Sequence, residues 1–214
     1  NKLLSQRPDQ LVLGGKVQKA ATNEALGSLQ QWADSHGDKA LSKSLKHLAD
    51  VSLFNTRVEL PGPTGEANTY SLKGRGAVVC VPATKHGLVV QVATSLASGN
   101  EALIVREGVA AEVLEPVLTQ LPEAARKRVV LVDSLKEAMS RRIGGVIFEG
   151  DCDALKSLSQ FLAEQDGPVL QAQGRTSTEL ANGQLYRMEL LVAERSLSVN
   201  TAAAGGNATL MAVV

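Results

Sequence analysis

From residue 76 onward the chain alternates short β-branched apolar runs with longer stretches whose apolar residues recur every three or four positions. The runs at 77–81, 102–105, 129–132, 145–148 and 169–172 read as strands. Between them, 88–96, 109–121, 135–140 and 151–163 read as helices. Val113, Val117 and Leu121 share one face of the second of these, and Leu155, Leu158 and Leu162 one face of the last. Near-continuous apolar strands separated by amphipathic helices predict a mainly parallel sheet covered on both faces, an α/β, Rossmann-like doubly wound fold. Residues 186–192 read as one more strand.

The first third has a different rhythm. Residues 16–32 are rich in helix formers, and Leu41, Leu45 and Leu48 fall on one face of a second helix joined through Ser35-His36-Gly37-Asp38. Leu60-Pro61-Gly62-Pro63-Thr64-Gly65-Glu66 can continue neither a helix nor a central strand, because its prolines lack the amide donor. It reads as a structured loop between the helices and the rest. The expected organisation is a helical arm over 1–58, a Rossmann-like domain over 59–197 and an interaction tail over 198–214. That tail carries no charged side chain and is prone to extend, so left free it would invite aggregation; pairing with a partner surface is the expectation.

A length of 214 residues suffices for one core plus an appendage. The 22 basic and 22 acidic side chains cancel, so no global field draws the chain to nucleic acid or anionic lipid. Apolar runs such as 76–81 are too short for a transmembrane segment, and no basic-then-apolar leader opens the sequence; a cytoplasmic protein is expected. Cys80 and Cys152 form no disulfide framework, which fits a reducing compartment. The opening Asn1-Lys2-Leu3 is unlike a natural amino terminus and suggests a piece of a longer polypeptide.

Candidate chemistry is sparse. Val81-Pro82-Ala83-Thr84-Lys85-His86-Gly87, after the first strand of the sheet, has one glycine where a dinucleotide fingerprint wants three, and no Walker-type loop occurs. His36, His47 and His86 lack companions at ligand spacing, so no metal site is expected. Cys152 lies between Asp151 and Asp153, which oppose a thiolate, and Cys80 sits in an apolar run. Arg126-Lys127-Arg128 and Arg141-Arg142 read as solvated helix ends.

Two longer strings carry a resemblance. Leu60 through Thr69, and the ending Glu194-Arg195-Ser196-Leu197-Ser198-Val199-Asn200-Thr201-Ala202-Ala203-Ala204-Gly205-Gly206-Asn207-Ala208-Thr209-Leu210-Met211, resemble the carboxy-terminal domain of the long bacterial proline utilization A proteins. The order of elements resembles the cofactor domain of the aldehyde dehydrogenase superfamily. The resemblance implies a noncatalytic accessory domain of a bifunctional or trifunctional proline-catabolic enzyme. In such an enzyme an FAD-dependent proline dehydrogenase and an NAD-dependent 1-pyrroline-5-carboxylate (glutamate semialdehyde) dehydrogenase share one chain. The domain would act as a lid on the substrate-channelling cavity and support the dehydrogenase domain. It implies no cofactor in this chain, and as partners the dehydrogenase domains of the parent chain, reached through Ser198, Asn200, Thr201, Gly205, Gly206, Asn207 and Leu210; a homo-oligomer is a further option.

Carried over position by position, the superfamily pattern implies five degenerate sites. Thr84 in Pro82-Ala83-Thr84 stands where an asparagine amide helps hold the oxyanion. Val105, followed by Arg106, replaces the lysine-proline pair at the adenosine ribose. Asp151 in Phe148-Glu149-Gly150-Asp151 falls at the pyrophosphate turn, where it would cap the helix while Glu149 adds a second negative charge. Gln171 takes the place of the catalytic glutamate, and an amide cannot accept the proton. Tyr186 in Gly183-Gln184-Leu185-Tyr186 takes the place of the nucleophilic cysteine. The competing expectations are a small NAD(P)-binding oxidoreductase domain using the loop at 84–87, and an oligomerisation module acting through the tail.

Overall fold

The computed structural model describes residues 16–18, 23–106 and 118–201. Helices α1 (Glu24–Ser35) and α2 (Lys39–Asp50) come first, each opened by a side-chain cap. Asn23 accepts from the Leu26 amide at 3.1 Å and Asp38 from the Leu41 amide at 3.0 Å, satisfying donors that a helix start otherwise leaves unpaired. Leu41, Leu45 and Leu48 are all buried, as their spacing predicts.

The centre is a five-stranded parallel sheet in the order β6-β5-β4-β7-β8. Its strands are β4 (Ala77–Val81), β5 (Glu101–Val105), β6 (Val129–Val132), β7 (Ile143–Glu149) and β8 (Ala172–Arg175). This is the doubly wound arrangement expected from the apolar runs. Helix α3 (Lys85–Ala97) links β4 to β5, and α4 (Glu123–Arg126), α5 (Leu135–Ala138), α6 (Cys152–Ala163) and α7 (Ser177–Ala181) follow in order. Period-two alternation divides β4 between two cores: Val78 and Cys80 pack with α1, α2 and α3, whereas Val79 packs on the opposite face with Leu158 and Leu162 of α6. Every residue of α3 from Gly87 to Ala97 is buried, because the sheet lies on one side of it and α1 and α2 on the other. The first two helices therefore belong to the main core; each fully buried leucine there contributes about 2 kcal/mol of burial free energy.

A second, antiparallel sheet has the order β1-β2-β3-β9, formed by β1 (Lys16–Gln18), β2 (Arg57–Leu60), β3 (Glu66–Gly74) and β9 (Val192–Asn200). Several sequence expectations change here. Residues 16–18 pair with β2 instead of opening a helix that runs to 32; helix α1 starts only at Glu24. The Pro/Gly string is the turn of the β2–β3 hairpin, closed by the Glu66 amide donating to the Pro63 carbonyl at 3.1 Å. The strand expected at 169–172 lies at Ala172–Arg175, with Val169 itself 96% exposed. The strand expected at 186–192 is a 3-10 turn, Met188–Leu191, leading into β9. Most of the helix expected at 109–121 lies outside the described residues, as do Gly205, Gly206, Asn207 and Leu210 of the tail. Within the tail, Ser198 and Asn200 at the end of β9 pair with Asn68 and Glu66 of β3, and the Thr201 amide donates to the Gly65 carbonyl at 2.7 Å.

Candidate functional site

The carboxyl edge of a parallel sheet is where α/β folds place their ligands. Here the end of β4, the start of α3 and the end of β7 converge on one carboxylate. Glu149, 3% exposed at the last position of β7, accepts from the amides of Ala83 and Thr84 at 2.8 and 2.9 Å and from the Thr84 hydroxyl at 2.7 Å. The Thr84 hydroxyl oxygen in turn accepts from the Gly87 amide at 3.0 Å, capping α3. Two amides and a hydroxyl at a helix start make a receptor for an anion, and the chain supplies that anion itself. Gly87 makes room for it: a methyl group there would overlap the Glu149 carboxylate.

Tyr186 completes this cluster from the other side. It is buried, its hydroxyl donating to the Phe148 carbonyl at 2.9 Å and accepting from Gln91 Nε2 at 3.0 Å, which also reaches the Val81 carbonyl at 3.3 Å. Burial pushes its phenol pKa up; the Gln91 hydrogen bond opposes this and the Glu149 charge reinforces it. A phenol so held is a clamp between α3 and β7. The Cys80 thiol is fully buried and pushed up to about 12 by that burial, so it is no nucleophile at neutral pH.

The remaining candidate positions are dispersed. Gln171 is exposed just before β8, and its contact with the sheet is through its carbonyl, which accepts from the Val146 amide at 3.0 Å. Val105 is buried at the end of β5, and the neighbouring Arg106 lies 3.7 Å from Asp133. Asp151 caps α6, accepting from the Ala154 amide at 2.8 Å, and Cys152 is exposed beside it. Thr84, Glu149 and Tyr186 are thus brought together, while Val105, Asp151 and Gln171 lie on three other segments, at the end of β5, at the start of α6 and just before β8. Two polar residues escaped notice in the sequence. Gln91 stands in an otherwise apolar run, and Gln173 ties β8 to the following loop by exchanging hydrogen bonds with the Arg187 backbone at 2.8 and 3.1 Å. A lone glutamine in a helix buried all round was the available signal, since a buried amide needs a partner. Among the described residues no group of three His, Cys, Asp or Glu side chains is placed to hold a metal, and no helix is long and apolar enough to cross a membrane.

No family model matches the chain. It is 38% identical over 193 residues to the bifunctional protein PutA of Rhizobium meliloti, covering 90% of this chain and 15% of that protein. It is 36% identical over 197 residues to the bifunctional protein PutA of Escherichia coli K12, covering 91% and 14%. The chain therefore spans about 15% of the length of the curated relatives it matches. Among solved structures, proline utilization A from Bradyrhizobium japonicum superposes with a TM-score of 0.58 at 21% identity, over 74% of this chain and 20% of that one. A succinic semialdehyde dehydrogenase from Streptococcus pyogenes, in complex with NADP+ as the cofactor, gives 0.53 at 11% identity over 72% and 40%. These structural likenesses establish a Rossmann-like, aldehyde dehydrogenase-like fold.

Proposed function

From homology to a segment of the bifunctional PutA proteins over nine-tenths of the chain, we propose that this is a noncatalytic, dehydrogenase-like accessory domain of a proline-catabolic enzyme. Its role is to cover the cavity through which the intermediate passes between the two dehydrogenase sites of the parent polypeptide, and to support the adjoining dehydrogenase domain. FAD and NAD then belong to the parent's other domains.

The observation that carries this reading is the Glu149 carboxylate bound at the start of α3. A dinucleotide brought to this edge meets a buried negative charge where it needs donors, and Asp151 adds another at the start of α6. The residues do not fit an NAD(P) phosphate. Nor do they supply acyl-transfer chemistry: Tyr186 is buried and protonated, and Gln171 is a neutral amide on the surface. Calorimetric titration of the chain with NAD+ and NADP+ should give no saturable heat, and deleting it from the full-length polypeptide should lower coupled proline-to-glutamate turnover. Micromolar NAD+ binding would overturn the noncatalytic reading, and unchanged coupled turnover after deletion would overturn the lid.

A further inference from the structure

The two basic strings that read in sequence as helix ends acquire a common location in the fold. Arg128 immediately precedes β6, Arg141 and Arg142 precede β7, and Glu101 opens β5. In a parallel sheet all four therefore lie at the amino edge, opposite Thr84 and Glu149. With Gly76 and Gly99 they line a cavity of about 420 Å³.

The floor of the cavity is backbone. Gly76 and Gly99 have φ of +138° and +78°, and a Cβ on Gly76 would sit 2.9 Å from the Arg142 carbonyl oxygen, so the floor is backbone in close contact with backbone. Its amides are already committed: Gly76 to the Asn100 side chain at 3.0 Å, Ala77 to the Arg142 carbonyl at 3.3 Å and Glu101 to the Gly76 carbonyl at 3.3 Å. The donors left over are guanidinium groups. Among the described residues Arg128, Arg141 and Arg142 enter no ion pair and no side-chain hydrogen bond. Three guanidiniums face one carboxylate here, although the chain as a whole is neutral, so the excess is local. The flanking helices α4 and α5 are four residues each, too short for their carboxyl-terminal dipoles to hold three cations.

We propose that this amino-edge cavity binds a small polyanion, a molecule presenting two or more anionic oxygens as phosphate or carboxylate. Guanidinium forks match both groups, a concave wall focuses the field of like charges, and the volume lies within the range of about 300–1,000 Å³ usual for small-ligand sites. The test is calorimetric titration of the intact chain, at constant ionic strength, with pyrophosphate and with citrate. At least one should bind saturably at one site; pyrophosphate alone would mark a phosphate ligand and citrate alone a polycarboxylate. Arg141 and Arg142 are exposed, so Arg141→Ala/Arg142→Ala should retain the parent circular dichroism and weaken binding by roughly tenfold or more. Arg142→Lys, which keeps the charge and loses the fork, should weaken it less but measurably. Absence of saturable binding by either probe, or unaltered affinity in both variants, would overturn the proposal.

Discussion

Tyr186 shows how a position that resembles a reactive one can serve structure instead. Its hydroxyl is both donor and acceptor, linking the Phe148 carbonyl on β7 to the Gln91 amide on α3 in a space closed to water. Tyr186→Phe removes that link while keeping the ring, and should cost about 1–2 kcal/mol in urea denaturation. The sequence revealed that Tyr186 is not a cysteine; it did not reveal where the hydroxyl goes, because Gln91 is 95 residues away along the chain. Glu149 followed the same course. Its negative charge was legible, but its burial and its three donors depend on the end of β7 meeting the start of α3, which local pattern does not encode.

At the level of elements, legibility tracked how many faces an element buries. Strands β4 and β5 inside the sheet and β6 at its edge carry apolar residues toward both faces, and their sequence positions agree with the structure to within one residue. Strand β8 borders the sheet with the polar Ala172-Gln173-Gly174-Arg175, because backbone pairing with β7 defines it and Leu155 packs where a Gly174 side chain would stand. The apolar pair just before it, Val169 and Leu170, drew the expected strand to the wrong place. Strand β1 is three residues whose helix-forming composition yields to pairing with β2, a case of tertiary context overriding propensity. Helix α2 was plain from its leucine spacing, and Leu45 is fully buried between α2 and the rest of the core. Leu45→Ala should destabilise the chain by about 2–5 kcal/mol, read as a lowered urea midpoint with an unchanged slope.

For the whole molecule, buried acids with raised pKa values make stability sensitive to alkali. The Cys80 thiol ionises near 9.0 when unfolded and at about 12 when folded, so the folded chain retains a proton the unfolded chain has lost. Its contribution is complete below about pH 9 and declines as pH rises toward 12, by up to about 1.4 kcal/mol per pH unit. The Tyr186 phenol, raised above its ordinary value of 10.0, acts in the same direction. Denaturant titrations from pH 8 to 11.5 should show a falling midpoint, with a shallower decline in Cys80→Ala; parallel curves for the two proteins would contradict the assignment.

The β3–β9 ladder also governs how the parallel sheet is attached. Gly74 and Val192 face each other at one end of that ladder, and the Arg75 amide donates to the Leu191 carbonyl at 3.3 Å. The chain thus leaves for the five-stranded sheet and returns from it through two neighbouring residues, about 5 Å apart. In topological terms the sheet and the helices α3 to α7 form one large excursion hung from an antiparallel ribbon, while α1 and α2 reach the same core by a separate path between β1 and β2. A tight turn could bridge the two ends of that excursion, so the ribbon can keep its strand order whatever the excursion contains.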